Sequence, residues 1–270
     1  MLYDYLKNFT LEDALKIESQ DRQFLALKKL YENKKFSDEL YLFLIIANAL
    51  ISFQLSWKGE DYWEEFGDLG IRGDFGDEKK IKKEKICEFF ENLLRNGKNN
   101  RRFVDMKLKR IQKIVWYQEN VKKISDDDLR WYQNDSLKRS DLINLWLDWW
   151  ELYYKNMDKL AQDLGEIMGQ AKDAKTIVFA VKMFSYWARN VFGYVEKFPF
   201  TLNIPIDSRL VKLYLIETRW EARRGQMNKK DVKNFYQGLA KKLNIPPLHL
   251  DAILWVNFAK IEKMLNVRDV

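Results

Sequence analysis

The chain has almost none of the residues that build metal and redox centres. One cysteine, Cys87, and one histidine, His249, stand among 270 residues. A lone cysteine excludes an intrachain disulfide and a four-cysteine cluster, and a lone histidine excludes a histidine-rich metal site. Such cysteine usage fits a reducing compartment, so a cytoplasmic protein is expected. No signal peptide is evident, and no apolar run approaches about 18 residues. The longest, "LYLFLIIANALI" from Leu40 to Ile51, suits a core helix instead. Proline and glycine are scarce, at 4 and 11, while Leu, Lys and Glu abound, which favours helix over turn-rich β structure.

With 47% hydrophobic and 32% charged residues, the chain can bury a substantial core. The net charge is +7, and it is concentrated. From Asp77 to Lys113 there are 13 Lys/Arg against 6 Asp/Glu, an excess of 13 − 6 = 7 that equals that of the whole chain. A solvated helical surface accounts for such a run; a phosphate-facing patch accounts for it equally. Charge alone does not separate nucleic acid from an acidic protein partner.

Helical periodicity dominates, and neither strand-like alternation nor an internal repeat is found. Helices are expected over about 11–19, 22–33, 37–58, 78–97, 101–118, 138–155, 157–168, 175–192, 207–224, 228–243 and 248–265. Thr10 with Asp13 reads as a capping box, and Ser37 as an N-cap followed by Asp38 and Glu39. The stretch "FGDLGIRGDFGDE" has glycine at every third position but lacks the lysine and Ser/Thr of a P-loop, and reads as a connector. Residues 125–141 read as a loop. Trp146, Trp149, Trp150, Tyr153 and Tyr154 have the spacing of a packed helix face more than of a base-stacking platform.

The chemistry-bearing residues stand where the pattern is least bland. Lys175 opens "KTIVFAVKMFSYW", an apolar helix in which a lysine is out of place. Residues 157–167 read as a preceding helix, so Lys175 follows a helix and a tight hairpin. Such a hairpin can present N–H groups to a phosphate, although helix–turn–helix pairs are common without one. In "FPFTLNIPIDSRLVKLYLIE", Asp207 precedes a helix as an N-cap amid Phe198, Phe200, Leu202, Ile204 and Ile206. A cap and a functional carboxylate are compatible readings. In "NIPPLHLDAILWVNFAK", Pro246 and Pro247 begin a helix, and Asp251 and Trp255, four apart, share a face. His249 reads as structural or exposed rather than catalytic. "ANALISFQLSWKGEDYWEEFG" carries Ser52 and Trp63.

Together "ANALISFQLSWKGEDYWEEFG", "AKTIVFAVKMFSY", "NIPIDSRLVKL" and "NIPPLHLDAILW" resemble the archaeal 8-oxoguanine DNA glycosylase family (AGOG), a branch of the helix-hairpin-helix DNA glycosylase superfamily. They come in the family's order; the middle, about 67–150, departs from its pattern. The resemblance implies an all-α fold forming a single glycosylase unit, with two helical subdomains and a cleft. About 1–65 with 195–270 would form the terminal subdomain, and about 66–194 the middle one, ending in the helix-hairpin-helix at 157–192. It implies Lys175 as Schiff-base nucleophile and Asp207 as catalytic aspartate. It places the damaged base among Gln23, Ser52, Trp63, Phe179, Pro205, Asp251 and Trp255. It implies no cofactor and no metal, DNA containing 8-oxoguanine as partner in duplex or single-stranded form, no membrane, and a monomer.

The chemistry suits these residue types. Cleaving an N-glycosidic bond builds positive charge on the sugar, which a carboxylate stabilises. An amine attacking C1′ displaces the base and forms an imine, from which β-elimination cuts the strand. A lysine must be neutral to attack, and an apolar setting favours that form; Asp207 pulls the other way. A flipped purine needs stacking partners, here Phe179 and Trp255, and the Trp63 indole N–H can donate to a carbonyl. 8-Oxoguanine carries an N7–H that guanine lacks, so an acceptor there discriminates; Gln23 or a backbone carbonyl is a candidate. Asp251 suits the N1–H and amino donors of the purine edge. The alternatives are a monofunctional glycosylase of other specificity that uses only Asp207, or a non-catalytic helical DNA-binding protein.

Overall fold

The computed structural model describes residues 1–72, 83–116, 150–219 and 228–266, and among them every regular element is a helix. In chain order these are α1 (Leu2–Leu6), α2 (Leu11–Ser19), α3 (Arg22–Glu32), α4 (Asp38–Ile51), α5 (Gly59–Arg72) and α6 (Lys83–Asn96). Next come α7 over 104–116 and α8 over 150–155. The last six are α9 (Met157–Met168), α10 (Lys175–Phe192), α11 (Ser208–Thr218), α12 (Lys229–Leu243), α13 (Pro247–Val256) and α14 (Phe258–Asn266). No described helix is long and apolar enough to cross a membrane.

Several boundaries follow from local chemistry that the sequence displays. Thr10 and Asp13 form the expected capping box, with backbone and side chain exchanging bonds in both directions. Ser37 accepts from the Leu40 N–H, and Pro247 occupies the first turn of α13, where its missing N–H matters least.

Other boundaries are set by partners far along the chain. The helix expected over 37–58 ends at Ile51. Its last carbonyls are taken by side chains from elsewhere: Asn100 donates to Ile51 O at 3.3 Å and Arg110 to Leu50 O at 3.0 Å. The chain then turns through Gln54, whose φ is 47°. The glycine-rich connector is helical in its first half, because Phe66 to Arg72 belong to α5. Burial of Tyr62, Trp63 and Phe66 on that helix outweighs the poor propensity of Gly67 and Gly70. The single helix expected over 248–265 breaks at Asn257, whose side-chain oxygen accepts from the Tyr5 hydroxyl. Helix α1 is an addition to the expected set; Leu2 and Leu6 bury its apolar side. The loop expected at 125–141, with Trp146 and Trp149, lies outside the described residues. Trp150 and Tyr154 pack on Phe184, with ring centroids 5.9 and 6.2 Å away, as core residues do.

The apolar side chains form two clusters. The larger is built on α4 and α10, which lie against each other; it draws in α3 and α5 to α9. α4 is apolar all round, so it must be surrounded. The smaller cluster joins α1 and α2 to α11–α14. The expected subdomains group residues 1–65 with the C-terminal helices. Side chains of α3–α5 belong to the same cluster as α10, against which α4 lies.

Candidate active site

The hairpin between α9 and α10 is held tightly. Gly169 ends α9 in the left-handed conformation, φ 63°, and Gln170 N–H returns to Gly165 O at 2.8 Å. A Cβ on Gly165 would lie 2.8 Å from Gln170 O and 3.2 Å from Lys172 N, so the hairpin can only lie this close over a glycine. Lys172 bonds Asp158 of α9, and Lys233 of α12 bonds Asp173, so both flanks of the turn are pinned.

Lys175 is the first residue of α10. Lys175, Phe179, Lys182 and Tyr186 stand at i, i+4, i+7 and i+11 and therefore share one face. Burial deepens along that stripe: Lys175 is exposed, Phe179 half-buried, Lys182 and Tyr186 buried. The apolar enclosure expected around Lys175 is not found. The buried run of α10 begins at Ile177, and the enclosed lysine is Lys182.

Lys182 Nζ pairs with Asp251 Oδ2 at 2.6 Å. Burial works against its charge, but Asp251, Asp21 and Glu18 outweigh it and raise its pKa above the ordinary lysine value. Burial pushes the Asp21 carboxyl up, with Lys182 opposing. Asp21 caps α3 through the Gln23 N–H at 2.9 Å and accepts from the Tyr186 hydroxyl at 3.3 Å. Deeper still, Glu18 meets His249 Nδ1 at 2.8 Å and Arg189 Nη1 at 2.7 Å. Burial opposes the Glu18 charge, yet these partners hold its carboxyl below the usual range. His249 Nε2 accepts the Phe198 N–H, which leaves the ring proton on Nδ1 to face Glu18. His249 is thus structural and buried.

Helix α5 gathers the aromatic residues. Trp63 meets Phe179 edge to face, with centroids 6.1 Å apart. Its indole N–H is buried and has no partner among the described residues, a costly state for a donor. Glu60 accepts the Trp255 indole N–H at 3.0 Å, and the Gln23 amide nitrogen lies 3.3 Å from where a Gly59 side chain would begin. Asp207 caps α11: its Oδ1 accepts the N–H groups of Arg209 and Leu210 at 2.9 and 3.0 Å. Its Oδ2 lies 3.4 Å from Arg209 Nε, and the same guanidinium sits 3.0 Å above the Trp255 ring centroid.

The fold therefore joins Gln23, Trp63, Phe179, Asp251, Trp255 and Asp207 through α3, α5, α10, α11 and α13, with Lys175 one turn from Phe179. Ser52 ends α4, where its hydroxyl donates to Asn48 O at 2.7 Å. Pro205 is buried in the extended run before Asp207. Sequence reasoning missed Arg209 and Glu60, and gave Lys182 no place in the site. The i+7 spacing from Lys175 was the signal available for Lys182. Among the described residues no group of three or more His, Cys, Asp or Glu side chains is placed to hold a metal ion.

The basic segment reaches the same neighbourhood. Arg110 donates to Leu50 O and approaches Thr176 Oγ1, beside Lys175, at 3.5 Å. Arg101, Arg102 and Lys109 face solvent.

The comparisons agree with this architecture. A family model described as AGOG, N-glycosylase/DNA lyase, matches residues 3–146 and 135–269, and so runs through the middle region that the motifs left aside. Proteins named N-glycosylase/DNA lyase from Nanoarchaeum equitans and Thermococcus kodakarensis are 36% and 34% identical. These alignments cover 95% and 94% of this chain and 89% and 81% of the relatives. A counterpart from Methanococcus maripaludis is 32% identical, over 94% of this chain and 85% of its own. The crystal structure of the Pyrobaculum aerophilum AGOG, an 8-oxoguanine DNA glycosylase complexed with 8-oxoguanosine, shares the fold. Its TM-score is 0.68 at 24% identity, over 95% of this chain and 85% of that one. With the all-α fold and a match along nearly its whole length, the chain belongs to the AGOG family of N-glycosylase/DNA lyases, enzymes of DNA repair that cut both the base–sugar bond and the strand.

Proposed function

We propose that the base removed is 8-oxoguanine and that Lys175 and Asp207 carry the chemistry. The carrying observation is the single face of α10 on which Lys175 stands one turn from Phe179, itself against Trp63. A purine stacked on Phe179 and Trp255 brings its sugar toward the exposed amine. The unpartnered Trp63 N–H then meets a base carbonyl, and Gln23 and the Asp251–Lys182 pair read the purine edge. Ser52 and Pro205 complete the wall. The Pyrobaculum protein's 8-oxoguanosine supports the choice of base.

The Lys175 amine attacks C1′, and the C1′–N9 bond breaks with its electron pair leaving on the base, which takes up a proton. The Asp207 carboxylate offsets the positive charge that builds on the sugar. Ring opening gives an imine between Lys175 and C1′. Loss of a C2′ proton then expels the 3′ phosphate, which cuts the strand. Lys175 is exposed in the free protein; closure around DNA is the step that encloses it. The substrate is duplex DNA, with the hairpin and basic segment on its phosphates, and the enzyme acts as a cytoplasmic monomer.

Borohydride trapping tests the assignment. Reduction during turnover on an 8-oxoguanine duplex should link Lys175 to DNA. Lys175→Gln should lose both crosslink and strand cleavage while retaining affinity. Asp207→Asn should fold and bind but excise slowly. A crosslink mapped to Lys172 or Lys182 overturns the assignment.

A further inference from the structure

Arg209 stands outside the chemistry described so far, yet its guanidinium occupies the position a stacked base needs. It lies 3.0 Å above the Trp255 ring centroid, and its Nε lies 3.4 Å from Asp207 Oδ2. The backbone fixes its root, since Arg209 N–H is bonded to Asp207 Oδ1 in the first turn of α11. Its side chain is 38% exposed, so the head is free to swing into solvent without opening the core. Trp255 cannot turn away to offer another orientation cheaply, because its indole N–H is tied to Glu60.

We propose that Arg209 is a displaceable stand-in for the substrate base, covering the stacking face of Trp255 and engaging the free oxygen of Asp207 until a purine enters. This rests on the stacking role given to Trp255 above. A cation over an indole face is a favourable contact. An incoming purine must replace it, so the apparent affinity for the base is reduced by the fraction of molecules whose ring is covered. The same displacement uncovers Asp207 Oδ2, which couples arrival of the base to exposure of the carboxylate. An undamaged helix presents no flipped base, and the pair stays covered.

The test titrates the free nucleoside 8-oxoguanosine, which carries no phosphate, into wild type, Arg209→Ala, Arg209→Lys and Trp255→Ala by calorimetry. Removing the guanidinium should tighten nucleoside binding on the order of tenfold, as expected for loss of one cation–π interaction. Arg209→Lys, with a cation but no planar fork, should fall between. A merely structural role for Arg209 would weaken binding instead. Unchanged or weaker binding in Arg209→Ala, with Trp255→Ala impaired, overturns the proposal and leaves the site standing. Trp255→Ala binding as well as wild type would remove the stacking assignment itself.

Discussion

Lys182 Nζ lies 2.6 Å from Asp251 Oδ2, and this ion pair joins α10 to α13 with both side chains almost wholly buried. Removing one partner leaves an uncompensated charge in the interior. Lys182→Met or Asp251→Asn should therefore destabilise by about 3–5 kcal/mol, read by chemical denaturation. Lys182→Met combined with Asp251→Leu should recover much of that loss while remaining poor at excision. Single variants as stable as wild type would show that the pair is solvated.

The stacking assignment separates binding from catalysis. Phe179→Ala and Trp255→Ala should each lower excision by on the order of 1–3 kcal/mol of transition-state stabilisation, with smaller effects on DNA affinity. Phe179 also touches Trp63, so its variant must first melt as wild type does. Well-folded variants that excise at normal rates would exclude the sandwich.

The exposed cations of the basic segment should act through phosphates alone. Neutralising Arg102 and Lys109 should weaken binding to every sequence equally and lower the salt slope by about 0.9 for each phosphate no longer neutralised. Arg101 is a less clean probe, since its Nε is bonded to Gly97 O at 2.7 Å. An unaltered slope would return the segment to the solvated-surface reading.

Lys107 is fully buried, bonded to Asn100 and set 4.9 Å from the Phe53 ring centroid. Burial, with Arg102 adding to it, pushes its pKa down from 10.5 to about 8. The unfolded chain thus binds more protons between these values, and stability must rise with pH across that window. Wild type should gain on the order of 3 kcal/mol relative to Lys107→Met between pH 8 and pH 10.5. A constant difference between the two proteins would show that the amine is not shifted.

Much of the scaffold was legible because it is local. Thr10 and Asp13, Ser37, Pro247 and Asp207 each announce a helix start within a few residues, and the structure uses all four. Phe179, four residues after Lys175, came from the family resemblance, and the helical period then places the two on one face of α10. Periodicity shows which face is buried but not what meets it. The Lys182–Asp251, Glu18–His249 and Trp255–Glu60 bonds span 69, 231 and 195 residues, and no local pattern encodes such pairs. The end of α4 was misplaced for the same reason: its stop is written in Asn100 and Arg110. Lys175 was expected to be enclosed because its helix is apolar, but a first-turn residue lies above the buried run.

A network of buried charge ties α10 to α2 and α13: Glu18, Asp21, Lys182, Arg189, His249 and Asp251 face one another there. Apolar surfaces attract without direction and let helices slide, whereas charge-assisted bonds hold to narrow distances. This network is therefore a gauge. Phe179 stands three residues before Lys182, and Trp255 four residues after Asp251, so in the sandwich proposed for the base the spacing of the two rings would be measured out from one nitrogen–oxygen bond. Lengthening or shortening either arm of that bridge, Asp251→Glu for instance, would change the thickness of ring the enzyme can accept before it changed anything the enzyme does to it.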